Sequence, residues 1–370
     1  MSLKEIFCQD NAISILQKAL ASDKSPHAYI FAGPQGVGKF KTAREWAKML
    51  LCKSPSVENG FADSCSSCQS CRLFEAGSHP DFHPIYKELL EFTKDGKGKT
   101  TPLELPIDVI REFLIDKISA KPTLSQKKVF IVTEAEKLNT PSQNALLKSL
   151  EEPPNYCSII LLCARMERLL PTTKSRCQII RFSTVDEDRI IDKLIEMGLD
   201  EKKAQYFARL AQGSLGQACQ WAQLQLTDAN LYQAKNQLLC SLSSFKYADS
   251  MELADWLLGK SKNIAAAWVE LDKNTSKTDI NRRAQKTLIL IIISALLDAM
   301  KTTIEETEQI INFDQKEQIK KLAKRFNAEQ LAQKIADAYK SMRWIESAVN
   351  EKLIFEQLLL NLAVSDKIKL

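Results

Sequence analysis

An α/β half followed by an all-α half is what the sequence predicts, on three observations. First, every proline lies at or before Pro171 and a single glycine, Gly259, follows Gly216, so the later chain has almost no helix breakers. Second, short β-rich runs at His27–Ala32, Lys128–Thr133 and Cys157–Cys163 alternate with amphipathic stretches such as Pro141–Leu150. Near-continuous apolar strands between helices mark a parallel sheet covered on both faces. Third, Leu331, Ile335, Ala338, Met342, Ile345, Val349 and Leu353 recur three or four apart, one stripe on one helix. Asn327 with Gln330 three residues on has the pattern of a capping box at its start.

Length and composition set the limits. A chain of 370 residues, 45% hydrophobic and 26% charged, suits two or three globular domains and excludes a disordered or collagen-like chain. The apolar run Leu288–Leu297, broken by Ser294, falls short of the roughly 20 residues of a membrane span. Met1–Gln9 carries Lys4 and Glu5 without an apolar stretch behind them, so no export signal is expected and the cytoplasm is the default. A net charge of +5 is a mild bias, compatible with nucleic acid nearby. Only three histidines, all before residue 84, leave no Ser-His-Asp or Cys-His catalytic arrangement to propose.

Taken in order, the first element of chemistry is Gly33-Pro34-Gln35-Gly36-Val37-Gly38-Lys39, placed between the strand ending at Ala32 and a helix running through Leu51. This is the GxxxxGK phosphate loop in its strand-loop-helix setting: Gly33, Gly36 and Gly38 let backbone N–H groups converge on a phosphate, and Lys39 reaches its terminal groups. The next position supplies a Ser or Thr hydroxyl to Mg²⁺ in such loops, and here it is Phe40. Thr42 cannot stand in, because two residues along a helix turn it roughly 200° away. Next come Cys52 and the tight run Cys65-x-x-Cys68-x-x-Cys71. Four thiolates complete a tetrahedral zinc shell, so the predicted role of Zn²⁺ is structural. The other cysteines, and tryptophans such as Trp256, Trp268 and Trp344, are expected to pack in apolar surroundings. Thr93–Thr101, with Gly96 and Gly98 among lysines, reads as a flexible loop. On the second buried strand, Val129 to Val132 lead to Thr133-Glu134. The Asp that holds metal at this place in a phosphate-transfer site is replaced by Thr133, and Glu134 remains as the strand-end carboxylate. Asp186–Ala218 carries two short helix patterns, Ile190–Met197 and Ala204–Ala211, divided by Gly198 and ended by Gly213, and reads as a small helical lid.

With these motifs in view, the chain resembles the clamp-loader branch of the AAA+ family. Asn144-Ala145-Leu146-Leu147-Lys148-Ser149-Leu150-Glu151-Glu152-Pro153-Pro154 is close to that branch's hallmark, and Ser175-Arg176-Cys177 matches its arginine-finger motif. His27-Ala28-Tyr29 and His79-Pro80-Asp81 fit bacterial members, and Asn350-x-Lys352-Leu353-x-x-Glu356 before Leu358-Leu359-Leu360 is similar to the collar signature. The resemblance implies an AAA+ P-loop domain over 1–182 with a zinc module near 52–71, a lid over 183–222 and a helical collar for oligomerisation over 228–370. It also implies a place in a five-subunit ring of DNA polymerase III that loads the sliding clamp onto primed DNA. The partners would be the motor (gamma/tau) and delta subunits, with clamp and DNA reached through the complex and no membrane involved. A hydrolysing member carries Ser or Thr after the loop lysine, Asp-Glu on the second strand, a sensor Thr on the next, and Arg in the lid's Gly-Ser-x-Arg. Here those places hold Phe40, Thr133, Cys163 and Gly216. The chain is therefore similar to the family's non-hydrolysing end-member, itself neither polymerase nor active ATPase. Such a member would give Arg176 to a neighbour's site in trans, and ATP held at Gly33, Gly36, Gly38, Lys39 and Glu134 would stay unhydrolysed. The alternative is an active gamma/tau-like motor that holds its metal in another way.

Overall fold

In the computed structural model the described residues are 2–21, 26–96, 102–272, 275–304, 310–347 and 349–363. Lys97–Thr101, most of the expected glycine-lysine loop, lies outside them. The chain divides into two units, Met1–Val185 with Ser214–Gly216, and Asp186–Gly213 with Gln217–Leu370.

The first unit is built on a parallel sheet. Its strands are β1 (Ala28–Ala32), β4 (Phe82–Ile85), β5 (Lys128–Val132), β6 (Cys157–Cys163) and β7 (Gln178–Arg181), and a separate hairpin pairs β2 (Ser56–Glu58) with β3 (Phe61–Asp63). The order across the large sheet is β4-β5-β6-β1-β7. Every pair is parallel, with Ile30 opposite both Leu161 and Ile179. Alternation in β1 explains its unbroken apolar run. Ala28, Ile30 and Ala32 enter one core with Phe130, Ile159 and Leu161, while Tyr29 and Phe31 enter the other with Ile131, Ile160 and Trp46. A strand buried on both faces reads as a near-continuous apolar run. The predicted strands match closely, each expected run losing at most one residue at an end. β4 was not expected, because Phe82-His83-Pro84-Ile85 contains a proline; at the edge of the sheet the missing N–H costs no ladder bond.

β1 lies between β6 and β7, so the chain leaves it for the far edge on one side and returns to the other. A crevice at the C-terminal ends of the strands forms at such a reversal. Helix α1 (Asp10–Ala21) precedes β1, α2 (Lys39–Leu51) follows the glycine loop, and α3 (Gln69–Glu75) carries the last cysteine of the cluster.

The second unit is wholly helical among its described residues. The lid segment holds the two expected helices, Glu187–Glu196 and Glu201–Ala211, and a third, Leu215–Gln225, whose first two residues cluster with the sheet unit. Further on, Lys277–Ile304 is long and apolar enough to cross a bilayer by composition alone. Its Ile289, Ile291, Ile292 and Ile293 are instead buried among Ser250–Leu271, Lys316–Arg325 and Ala328–Glu346. The capping box is present: Asn327 Oδ1 accepts from Gln330 N at 2.8 Å, and Gln330 Oε1 accepts from Asn327 N at 3.1 Å. The stripe from Leu331 does not continue on one helix to Leu353. That helix ends at Glu346, a new one runs Glu351–Ala363, and Val349 and Leu353 are 42% and 57% exposed. Trp268 is buried as expected, whereas Trp256 and Trp344 are half-buried under Lys260 and Lys340.

A charged pair lies within this helical core. Lys235 Nζ donates to both oxygens of Asp314 at 2.6 and 2.7 Å, and Tyr232 Oη donates to Asp314 Oδ2 at 2.6 Å. The same ammonium stands 4.7 Å from the Tyr206 ring centroid and 4.9 Å from that of Tyr232.

Candidate nucleotide site and metal centre

The glycine loop leaves β1 at Gly33, whose φ of +157° and neighbours exclude a side chain: a Cβ would lie 2.4 Å from Phe182 O. Five consecutive loop carbonyls accept bonds from this chain's own donors. Lys39 Nζ donates to Gly33 O and Pro34 O at 2.6 Å each, Ser214 Oγ to Gln35 O at 2.8 Å, Gly216 N to Gly36 O at 2.7 Å, and Gln9 Nε2 to Val37 O at 3.1 Å. Lys39 is thus turned onto its own loop, and burial pulls its ammonium below the usual lysine value against the opposing charges of Glu136 and Cys163. Gly216 stands where a hydrolysing lid would carry Arg, and a Cβ there would come within 3.1 Å of Gly36.

The places for magnesium ligands carry none. Phe40 is 48% exposed, and its neighbour in the same turn, Thr42, spends its hydroxyl on Gly38 O at 3.1 Å. Thr133 Oγ1 donates to Ile85 O at 3.1 Å. Glu134 pairs with Lys137 at 2.7 Å and is not gathered to Lys39. The carboxylate whose charge acts on Lys39 is Glu136, which also accepts from Ala164 N at 3.1 Å. Sequence reasoning missed Glu136 because it lies two residues beyond the motif position, on a 3-10 turn that no spacing rule announces. Cys163, at the sensor position, is buried, and burial pushes its thiol up to about 11. The residues present do not fit a magnesium-nucleotide centre.

Arg176 is tied to groups of its own unit. Its Nη1 donates to Thr172 O at 2.9 Å, and its Nε and Nη2 engage Glu151 Oε1 at the end of the helix Thr140–Glu151. The side chain keeps 31% of its surface exposed. An ion pair at that exposure contributes about 0–1 kcal/mol, little enough to yield to a stronger acceptor.

The four predicted cysteines converge. Cys52 follows the last residue of α2, Cys65 and Cys68 lie in the loop before α3, and Cys71 is inside α3. Their sulfurs all lie within 4.8 Å of one another, with Cys52–Cys65 at 3.4 Å, Cys52–Cys68 at 3.9 Å and Cys65–Cys71 at 4.0 Å. Ligands about 2.3 Å from a tetrahedral zinc stand roughly 3.8 Å apart, so this set fits the ion. Backbone N–H groups already point at sulfur: Cys65 N to Cys52 Sγ, Cys68 N to Cys65 Sγ and Cys71 N to Cys68 Sγ, at 3.3–3.4 Å. Bonds led by the Ser67 N–H hold the Cys65 thiol down to about 6, while burial pushes the Cys52 and Cys71 thiols up. α3 is lashed to α2 by Lys48 and Arg44, which both reach Glu75, at 2.5 and 2.9 Å.

A parallel sheet with helices on both faces, delivering a phosphate loop from an interior strand at a strand-order reversal, is the AAA+ class of P-loop fold. Two family profiles sharpen this. One described as "DNA polymerase III, delta subunit" matches residues 8–186, and one described as "DNA polymerase III, delta subunit, C terminal" matches residues 273–363. The chain belongs to this DNA polymerase III clamp-loader family. Among curated relatives, DNA polymerase III subunit delta' of Bacillus subtilis is 31% identical over 202 residues, covering 55% of this chain and 56% of that one. The delta' subunit of Pseudomonas aeruginosa is 38% identical over 151 residues, 41% of each chain. The tau/gamma subunit of Haemophilus influenzae is 30% identical over 240 residues, 63% of this chain and 31% of that one. The chain spans about half the length of the delta' relatives it matches.

Proposed function

We propose that this chain is a delta-prime-like stator of a bacterial, cytoplasmic clamp loader: it assembles with gamma/tau motor and delta subunits and hydrolyses no ATP itself. The carrying observation is that both direct protein supports for magnesium are missing, with an exposed phenyl ring at Phe40 and the Thr133 hydroxyl spent on Ile85. Without them the charge that builds on a transferring phosphoryl group goes unneutralised. The names of the delta' relatives agree with this role; the tau/gamma relatives, with the intact Gly33–Lys39, are what favours the motor alternative. Zinc, when bound at Cys52, Cys65, Cys68 and Cys71, supplies a closed four-thiolate cross-link and no reactive position. Residues 183–222 act as lid and 228–370 as the collar through which the ring assembles. The complex reaches the sliding clamp and primed DNA together, and Arg176 serves the ATP site of a neighbour. Its planar, permanently charged fork can exchange Glu151 for phosphate oxygens as negative charge redistributes.

Mg-ATP turnover, measured with the chain alone and in a reconstituted loader, tests this. Alone, the expected rate is that of buffer. In the loader, Arg176→Ala and Arg176→Lys should assemble normally yet lower DNA-stimulated turnover and clamp loading, with lysine restoring little. A finger at a single site commands roughly 10³–10⁵ in rate, and the loss in the ring is smaller because other sites keep theirs. Robust turnover by the isolated chain that vanishes in Lys39→Ala would favour the motor reading. Wild-type loading by an assembled Arg176→Ala complex would remove the finger.

A further inference from the structure

The cysteine centre is braced by a hydrogen-bond relay that contains no metal ligand. Leu51 ends α2 just before Cys52, and Ser70 precedes Cys71 in α3. Ser70 Oγ donates to Leu51 O at 2.6 Å, and Ser125 Oγ donates to the same carbonyl at 2.7 Å. Ser70 has one proton to give and has spent it there. His79 Nε2, 2.8 Å from Ser70 Oγ, must therefore be the donor in that contact. The other ring nitrogen agrees, since His79 Nδ1 accepts from Asp81 N at 3.1 Å. Asp81 completes the brace by accepting from Thr123 N, Leu124 N and Ser125 N at 2.6, 2.8 and 2.8 Å, which seats Ser125 beside the same carbonyl. Ser70, His79 and Asp81 are 1%, 5% and 0% exposed, so water does not compete for these bonds.

The relay spans the one gap that matters for coordination. Cys65, Cys68 and Cys71 follow one another in a continuous loop and helix turn, whereas Cys52 arrives from α2. Nothing covalent nearby fixes the distance between Leu51 and Ser70, and each sits one residue from a ligand. We infer that His79 is a positioning residue for the metal centre: through Ser70 it holds the end of α2 against α3, so that the four sulfurs are gathered before an ion arrives. This rests on the zinc reading given above. Partners of metal ligands carry roughly 10–100-fold of metal affinity, and a brace one residue removed belongs at the lower end.

The test uses the full chain, stripped of metal and then loaded with Zn²⁺ or Co²⁺. Wild type should take up one equivalent, and its cobalt form should show the intense visible bands of a tetrahedral four-thiolate site. His79→Ala and Ser70→Ala should keep those bands at saturation yet release zinc to a chelator about tenfold faster. His79→Gln, whose amide N–H can reach Ser70, should recover most of the wild-type rate, which a merely space-filling role for the ring would not predict. Should His79→Ala fail to fold, Ser70→Ala and His79→Gln carry the comparison. Zinc release at the wild-type rate in Ser70→Ala and His79→Ala overturns the positioning role and leaves the zinc reading intact. Absence of one-equivalent uptake and of thiolate bands in wild type overturns both.

Discussion

At the scale of single residues, the buried ion pair of the helical unit bears directly on stability. Lys235 and Asp314 are 0% and 3% exposed, and each is the other's ionic partner. Burial alone would raise the Asp314 carboxyl; the bonds from Lys235 and Tyr232 outweigh it and hold the carboxyl below the ordinary value. A carboxylate depressed in this way lends stability that is present above its ordinary pKa and lost as the pH falls through the folded one. Removing one partner leaves the other charge buried and uncompensated. Asp314→Ala should therefore cost about 3–5 kcal/mol in chemical denaturation at neutral pH, while Lys235→Met with Asp314→Leu should cost far less. Equal losses from the single and double changes would mean that the pair's charges are not what holds this core.

Elements differ in how plainly the sequence announced them. Cys157–Cys163 was legible to the residue, because seven successive buried positions call for a near-continuous apolar run, here interrupted only by the small Ser158. The phosphate loop, the four cysteines and the Asn327 cap were legible because each is a local pattern with a local cause. What stayed hidden depends on partners distant in sequence: Glu151 beneath Arg176, Asp314 beneath Lys235, and Ser214 and Gly216 on the loop carbonyls. The break after Glu346 was hidden for another reason, since Val349 and Leu353 keep helical spacing by coincidence while facing solvent. Packing around the phosphate loop separates its glycines. A Cβ at Gly38 meets nothing within 4 Å, so Gly38→Ala should pay only for its φ of +104°, about 1–2 kcal/mol. Gly33→Ala must also displace the Phe182 carbonyl, which adds about 1–3 kcal/mol. Thermal melts of the two variants should rank Gly33→Ala well below Gly38→Ala, and the reverse order would contradict the packing described for Gly33.

At the scale of the whole molecule, the division into two units sets which pieces stand alone. The lid helices share their core with the later helices: Trp221 Nε1 donates to Thr287 Oγ1 at 3.3 Å, and the Tyr206 ring meets that of Tyr232 at 5.5 Å. A fragment of residues 1–185 should fold cooperatively, whereas one of residues 1–222 should expose Tyr206, Phe207 and Trp221 and bind a hydrophobic dye. A fragment 1–222 that melts cooperatively without dye binding would show that the lid needs no later helix. The order of the sheet has a further consequence, for biosynthesis. β1 lies inside the sheet, yet its partner β6 begins only at Cys157. At about 5–20 residues per second on the ribosome, the roughly 125 residues between them take on the order of 6–25 s to appear. Throughout that interval Ala28–Ala32 is a finished apolar strand with no ladder to join, so a growing chain must keep its own first strand from pairing with that of the chain emerging from the next ribosome.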